Sequence, residues 1–262
     1  MKHIPNLFTL LNLVFGCIAI TYILEPGLIL LPLDSDGNIL IPPAQLDYIP
    51  EKVVLGSLFI GLAAVVDFLD GFVARLFKAT SEMGKQLDSL ADVVSFGVAP
   101  SMIVYQFLKL SYAQQGNGLD VSLIWVIPSF IIAGAGAYRL ARFNIDTSQS
   151  YGFKGVPIPA AGLLIASFPL IYWYTDSMVI ADLFHNKWFW YGIILLISYL
   201  MVSNLPLMAL KFKDYTLKSN MPKIILVAAS IILILFLKWL AVPAIFILYI
   251  AVSLAFKNKQ AA

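Results

Sequence analysis

Charge is scarce in this 262-residue chain: acidic and basic side chains make up 12% of it, while 60% is apolar. A water-soluble domain carries roughly twice that charged fraction, because its surface has to be covered. A soluble fold is therefore excluded. Cysteine is nearly absent: Cys17 stands alone, so no intrachain disulfide can form, and its place within an apolar block marks it as a small core residue rather than a reactive thiol. Histidine is limited to His3 at the terminus and His185 in a loop, and neither takes a role. Basic runs are missing as well, and with a formal net charge of +2 the chain offers nothing to nucleic acid. Low-complexity tracts and internal repeats are also lacking.

What is present is a series of apolar blocks near bilayer length. They place about eight spans at 5–24, 53–77, 86–110, 121–143, 156–175, 188–210, 221–237 and 239–256. The last two meet at Lys238-Trp239, which leaves a very short turn between them. The expected fold is an all-α polytopic transmembrane helix bundle, one integral membrane domain over 1–262. Only Lys2 precedes the first block, and no small-residue cleavage site follows it, so that block reads as a retained helix. The segment 25–52, with Pro26, Pro32, Pro42, Pro43 and Pro50, reads as an ordered but irregular loop. Lysine and arginine set the orientation. Arg75, Lys78, Lys85, Arg139, Arg142, Lys154, Lys211, Lys213, Lys218, Lys223, Lys257 and Lys259 fall on one side, against Lys52, Lys109, Lys187 and Lys238 on the other. Both termini are thus expected on the cytoplasmic face. Tyr172-Trp173-Tyr174 and Trp188-Phe189-Trp190 then fall at the outer interface and read as aromatic belts.

Carboxylates are costly in hydrocarbon and are usually functional there. Four crowd the inner ends of the second and third spans, in Asp67-Phe-Leu-Asp70-Gly71-Phe-Val-Ala74-Arg75 and Gly84-Lys-Gln-Leu-Asp88-Ser-Leu-Ala-Asp92. On a helix, Asp67 and Asp70 are i, i+3 neighbours and Asp88 and Asp92 are i, i+4 neighbours, so each pair projects from one face. The short link between the helices makes them antiparallel, with those faces opposed. Four facing carboxylates at partial burial stay ionised only with positive charge among them. An all-oxygen set favours Mg2+ or Mn2+ over zinc, and two such ions could polarise a phosphoryl group for in-line displacement. Gly71, Ala74 and Gly84 leave room for a nucleotide against the backbone, and Arg75 supplies a planar donor fork for phosphate.

The pattern D-x2-D-G-x2-A-R-x8-G-x3-D-x3-D over residues 67–92 resembles the signature of the CDP-alcohol phosphotransferase family, with every fixed position matched. The surrounding spans are similar to the family's six-helix core with two extra helices. The resemblance implies Asp67, Asp70 and Asp88 as metal ligands, and Asp92 as the general base, in contact with the second metal ion. It implies Gly71, Ala74, Arg75 and Ser81 as cytidine-diphosphate contacts. The opening Pro5-Asn6-Leu-Phe-Thr9-Leu-Leu-Asn12 is similar to the family's first helix, where Asn6 and Thr9 would bond the cytidine; read alone, it is a helix start with Asn6 as cap.

Two further segments bear on the acceptor. Tyr138-Arg139-Leu-Ala-Arg142-Phe-Asn144 places two arginines at i, i+3 on the inner side, and Gly152-Phe-Lys154-Gly155-Val-Pro157-Ile-Pro159 forms a loop. Paired arginines at the mouth of an anionic site suit a phosphate or carboxylate. Both segments resemble the phosphatidylserine synthase branch of the family. That branch implies transfer from CDP-diacylglycerol to L-serine, giving phosphatidylserine and CMP, with Arg139, Arg142 and Asn144 at the acceptor, in a cell-membrane homodimer surrounded by membrane lipids. Glycerol 3-phosphate or inositol phosphate is the alternative acceptor. A cation-coupled transporter is the rival of another class; it predicts acids scattered near the midplane of repeated halves, not gathered at one edge.

Overall fold

The computed structural model describes residues 4–25, 51–76, 81–113, 121–146, 153–208 and 217–256. The proline-rich stretch 26–50 and Lys78, Lys211, Lys213, Lys257 and Lys259 lie outside the described residues. The described chain is almost wholly helical, as its apolar blocks require: in a bilayer the backbone must satisfy its own hydrogen bonds. Helix α1 is Ile4–Leu24 and α2 is Glu51–Leu76. Helix α3 runs over Glu82–Ala113 and α4 over Leu123–Ile145. Helix α5 is Ile158–Tyr174, the short α6 is Met178–Phe184 and α7 is Lys187–Val202. Helices α8 (Leu217–Leu237) and α9 (Ala241–Ala255) follow. α1 to α4 and the α8–α9 stretch are long and apolar enough to cross a membrane, while α5 and α7 are shorter apolar helices.

The last two spans are separate helices. Between them Lys238 adopts φ 49°, the chain reverses, and Leu226 of α8 shares a small buried cluster with Val252 of α9 and Met208. Outward residues such as Ile232, Leu235 and Phe236 of α8 are exposed, the surface a lipid-facing helix presents. Span six ends at Val202 rather than 210, because Pro206 has no N–H for a helix and biases the residue before it toward extended backbone. There the chain forms a short strand instead. Strand β2 (Pro206–Leu207) pairs antiparallel with β1 (Phe153–Lys154), in the register Phe153↔Leu207 and Lys154↔Pro206. No apolar alternation announces strands this short.

Helix α1 packs lengthwise along α2 and crosses α3. Close approach is possible because α1 offers Gly16 to α3: a Cβ there would meet the Ser95 Cα at 2.9 Å. Ser95 Oγ donates to the Asn12 carbonyl at 3.0 Å, locking the two helices at that level. α3 begins at Ser81, whose hydroxyl accepts the Gly84 N–H at 3.0 Å, with Glu82 in the first turn facing the positive helix end. A π-helical turn, Val93–Val98, interrupts α3 directly after Asp92.

Two readings of single residues need correction. Trp190 is not a belt residue: it is fully buried, stacks on Phe107 at 4.3 Å and donates its Nε1–H to the Phe184 carbonyl at 2.6 Å. Asn186 caps α7 through the Trp188 N–H, which turns Trp188 outward and Trp190 inward. Cys17 is exposed on the outer side of α1, not in the core. His185 has a structural partner, Tyr172, with Nε2 and the phenol oxygen 2.8 Å apart.

The loop before α5 turns on Gly155, at φ +77°. Its N–H donates to the Leu205 carbonyl at 2.9 Å, and an added Cβ would lie 2.8 Å from the Ser203 carbonyl oxygen. Gly155→Ala should therefore lower stability by more than about 1 kcal/mol, seen as a lower unfolding temperature in detergent. Gly61→Ala, where a Cβ meets nothing within 4 Å, should not lower it.

Candidate metal and nucleotide site

The aspartates of α2 and α3 converge. Asp67, Asp70 and Asp88 each offer a carboxylate oxygen, and these atoms all lie within 4.8 Å of one another. Asp92, one turn deeper along α3, is buried and has Asp67, Asp88 and Asp70 as its charged neighbours. Its Oδ1 has no hydrogen-bond partner among the described residues. A buried anionic oxygen left so would be costly. The donor set is all carboxylate, hard oxygen at close range, which fits a divalent cation of the magnesium or manganese kind.

Helix α1 completes the cluster from the other side. Thr9 Oγ1 lies 2.8 Å from Asp70 Oδ2 and 3.2 Å from the Pro5 carbonyl. Its one proton goes to the closer, charged acceptor, a charge-assisted bond. Asn12 is fully buried in an apolar helix and turns its carboxamide toward the Asp92 carboxylate. Asn12 carries no expected task in the sequence. The available signal was a carboxamide where α1 faces the acidic helices, since polar groups at such depth are seldom idle.

Beside the carboxylates opens a cavity of about 510 Å³, lined by Asn6, Thr9, Asp70, Gly71, Ser81, Gly84, Lys85 and Asp88 among others. Of the nucleotide contacts expected from sequence, Asn6, Thr9, Gly71 and Ser81 line this space. A Cβ on Gly84 would sit 3.1 Å from both Asn6 Oδ1 and Ser81 Oγ, so the glycine keeps these two polar atoms reachable. Arg75 sits at the rim, with a guanidinium nitrogen 3.7 Å from where a Gly71 Cβ would stand. The Ala74 side chain lies outside the described residues. Lys85, which in the sequence bears only on orientation, also lines this cavity.

The structure separates the two arginines of α4. Arg139 is buried, has Asp92 and Tyr249 as ionisable neighbours, and lies 5.8 Å from the Phe143 ring centroid. Arg142 instead reaches the end of α7, donating to the Val202 carbonyl at 3.1 Å and to Asn204 Oδ1. Positions i and i+3 differ by about 60° around a helix, and near the end of α4 that difference is enough to send two long side chains to different partners. Asn144 ties α4 to α3: its Nδ2 donates to Ser89 Oγ at 2.8 Å, and its carbonyl accepts from Lys85 Nζ at 3.3 Å.

Comparison with known proteins bears on this geometry. A family model described as CDP-alcohol phosphatidyltransferase matches residues 2–200. The chain is 39% identical over 159 residues to the CDP-diacylglycerol–serine O-phosphatidyltransferase of Helicobacter pylori strain J99, covering 59% of this chain and 60% of that one. It is 37% identical over 145 residues to the protein of the same name from Bacillus subtilis, covering 47% of this chain and 77% of that one. It is also 38% identical over 117 residues to the archaetidylserine synthase of Methanothermobacter thermautotrophicus, covering 44% and 46%. The chain thus spans about 60% of the length of the Helicobacter relative it matches.

If Asp70 is a metal ligand, Thr9 orients it from outside the ligand set, and such supports are typically worth 10–100-fold in metal affinity. Thr9→Val should weaken Mn2+ binding by about tenfold, read as free-ion EPR signal during titration of the purified protein. Unchanged binding would show that the Thr9–Asp70 bond does not hold the ligand in place.

Proposed function

The chain belongs to the CDP-alcohol phosphatidyltransferase family, and from that premise we propose that it transfers the phosphatidyl group of CDP-diacylglycerol to L-serine, giving phosphatidylserine and CMP. The observation that carries this reading is the meeting of three carboxylate oxygens within 4.8 Å beside a nucleotide-sized cavity. Serine is the word shared by the names of the relatives, whether the donor lipid is diacylglycerol or archaeal.

Asp67, Asp70, Asp88 and Asp92 would hold two divalent ions, Mg2+ or Mn2+, which supply charge neutralisation on the pyrophosphate when bound. The side chains around them divide the remaining work. Asn6, Thr9 and Ser81 offer hydrogen bonds to the cytidine and its phosphates, Gly71 and Ala74 admit the nucleotide against α2, and Arg75 takes the phosphate of the departing CMP with its donor fork. Asp92 accepts the proton of the serine hydroxyl. The serine oxygen then forms a bond to the phosphorus that carries the diacylglycerol, and that phosphorus loses its bond to the CMP oxygen. Burial beside Arg139 suits Asp92 to this task, because Arg139 can receive the serine carboxylate, an anion the acidic cluster would otherwise repel. Arg142 and Asn144 brace the inner end of α4 and complete the acceptor wall.

The lipid tails remain in the bilayer, and the site opens to the cytoplasmic face of the cell membrane. Arg75, Lys85, Arg139 and Arg142 support that orientation, since all stand at the end of the bundle that carries the aspartates. The working unit is a homodimer of one integral membrane domain, residues 1–262.

Purified protein given CDP-diacylglycerol and divalent metal should release CMP with L-serine in preference to glycerol 3-phosphate or inositol phosphate. Preference for a phosphorylated alcohol would assign Arg139 to a phosphate and overturn serine as acceptor. Asp92→Asn should lower turnover by about 10²–10⁴-fold and leave CDP-lipid binding nearly intact. Near-normal turnover in that variant rules out Asp92 as the base.

A further inference from the structure

Lys85 falls at an unfixed position of the signature, between Gly84 and Asp88, yet it lines the cavity beside the carboxylates. Glu82 and Asp88 are its i−3 and i+3 neighbours on α3. Lys85 pairs with neither: among the described residues it enters no ion pair, whereas Lys52 and Lys154 meet Glu25 and Asp146. Its ammonium turns instead to α4, donating to the main-chain carbonyl of Asn144 at 3.3 Å. That carbonyl lies in the last turn of α4, where main-chain oxygens have no partner within their own helix, so one N–H of the lysine serves as a cap.

Side chains close the tie. Asn144 Nδ2 donates to Ser89 Oγ at 2.8 Å, and Ser89 Oγ donates to the Lys85 carbonyl at 3.2 Å. Three hydrogen bonds thus run in a ring through Lys85, Ser89 and Asn144, and they fix where the lysine side chain ends. The Asn144 side chain is engaged within this ring.

An ammonium has three donors and no acceptor. The cap uses one, which leaves two on a cavity-lining group whose charge no carboxylate neutralises. Across the same space, Gly71 of α2 lines the wall and Arg75 stands at the rim. A ligand here meets one cation from α2 and another from α3, an arrangement suited to a diphosphate, which carries an anionic oxygen on each phosphorus. We propose that Lys85 is a further binding residue for the donor: it grips the diphosphate of the cytidine nucleotide from the α3 side, and Ser89 and Asn144 position it. The proposal rests on the reading above, in which this cavity receives the CDP end of the donor lipid.

The test is calorimetric titration of CDP, and separately of cytidine, into the full-length protein in detergent with Mn2+, for wild type, Lys85→Gln, Lys85→Arg and Ser89→Ala. Unfolding temperatures and KM for L-serine are measured alongside. Lys85→Gln keeps a donor for the Asn144 carbonyl and removes the charge. It should weaken CDP about tenfold, the order of one charge-assisted hydrogen bond, with cytidine affinity, serine KM and unfolding temperature unchanged. Lys85→Arg should restore most of the affinity, and Ser89→Ala should weaken CDP by less than Lys85→Gln. Unchanged CDP affinity in Lys85→Gln overturns the proposal. An equal loss for cytidine, which has no phosphate, also overturns it by placing the lysine on the nucleoside, and so does a rise in serine KM alone. If Lys85→Gln does not fold, Lys85→Met decides by the same criteria. Failure of the wild type to bind CDP refutes the nucleotide reading of the cavity instead, and is seen before any variant is compared.

Discussion

Like charges held close together at the edge of a bilayer set the terms for everything around them. Two unit charges 4 Å apart repel by about 4 kcal/mol at the effective dielectric of a protein surface. Three carboxylate oxygens within 4.8 Å of one another, with Asp92 buried beside them, would if all were ionised bring a repulsion comparable to the ~5–15 kcal/mol stability of a whole domain. Arg75 and Arg139 stand nearby, as neighbours of Asp70 and Asp92, but two cations at the margins leave the centre of the cluster negative. Divalent ions among the oxygens would resolve the conflict, and the same ions would make the cluster useful for phosphoryl transfer.

The rest of the inner half of the bundle serves this cluster. Thr9 orients Asp70, and Asn12 confronts Asp92, because α1 is locked to α3 by Gly16 and the Ser95–Asn12 bond. The π turn begins at the residue after Asp92. Such turns recur at functional sites because they re-aim side chains, and here Asp92 is left at the floor of the site. Gly84 and Ser81 shape the start of α3 so that its first turn borders the cavity. The same stretch of α3 carries Ser89, which receives Asn144 from α4. Distances among the aspartates are thereby fixed by helix packing and not by loops, the arrangement that gives a site its precision.

Much of this was legible beforehand, for physical reasons. Apolar blocks of bilayer length mark helices almost regardless of context, and i, i+3 and i, i+4 spacing decides which carboxylates share a face. Tertiary partners were harder to see. Arg139 and Arg142 look equivalent in sequence, yet Asn204 and Val202 draw one away while the other is buried beside Asp92. Trp190 resembles a belt tryptophan, and the ring of Phe107 that buries it lies far off in the chain. Tyr249 gave no signal at all, because an aromatic in an apolar helix is unremarkable until its partner, Met208, is known.

The central claim, that divalent ions make the aspartate cluster tolerable, is tested most directly by thermal unfolding in detergent, with EDTA and with Mn2+, of wild type and Asp67→Asn. Wild type should unfold at a clearly lower temperature in EDTA and gain about 2.7 kcal/mol at a hundredfold excess of Mn2+ over its Kd. Asp67→Asn, relieved of one charge, should be the more stable protein in EDTA and respond little to the metal. Equal unfolding temperatures for wild type with and without Mn2+, and no metal-free advantage for Asp67→Asn, would contradict the account.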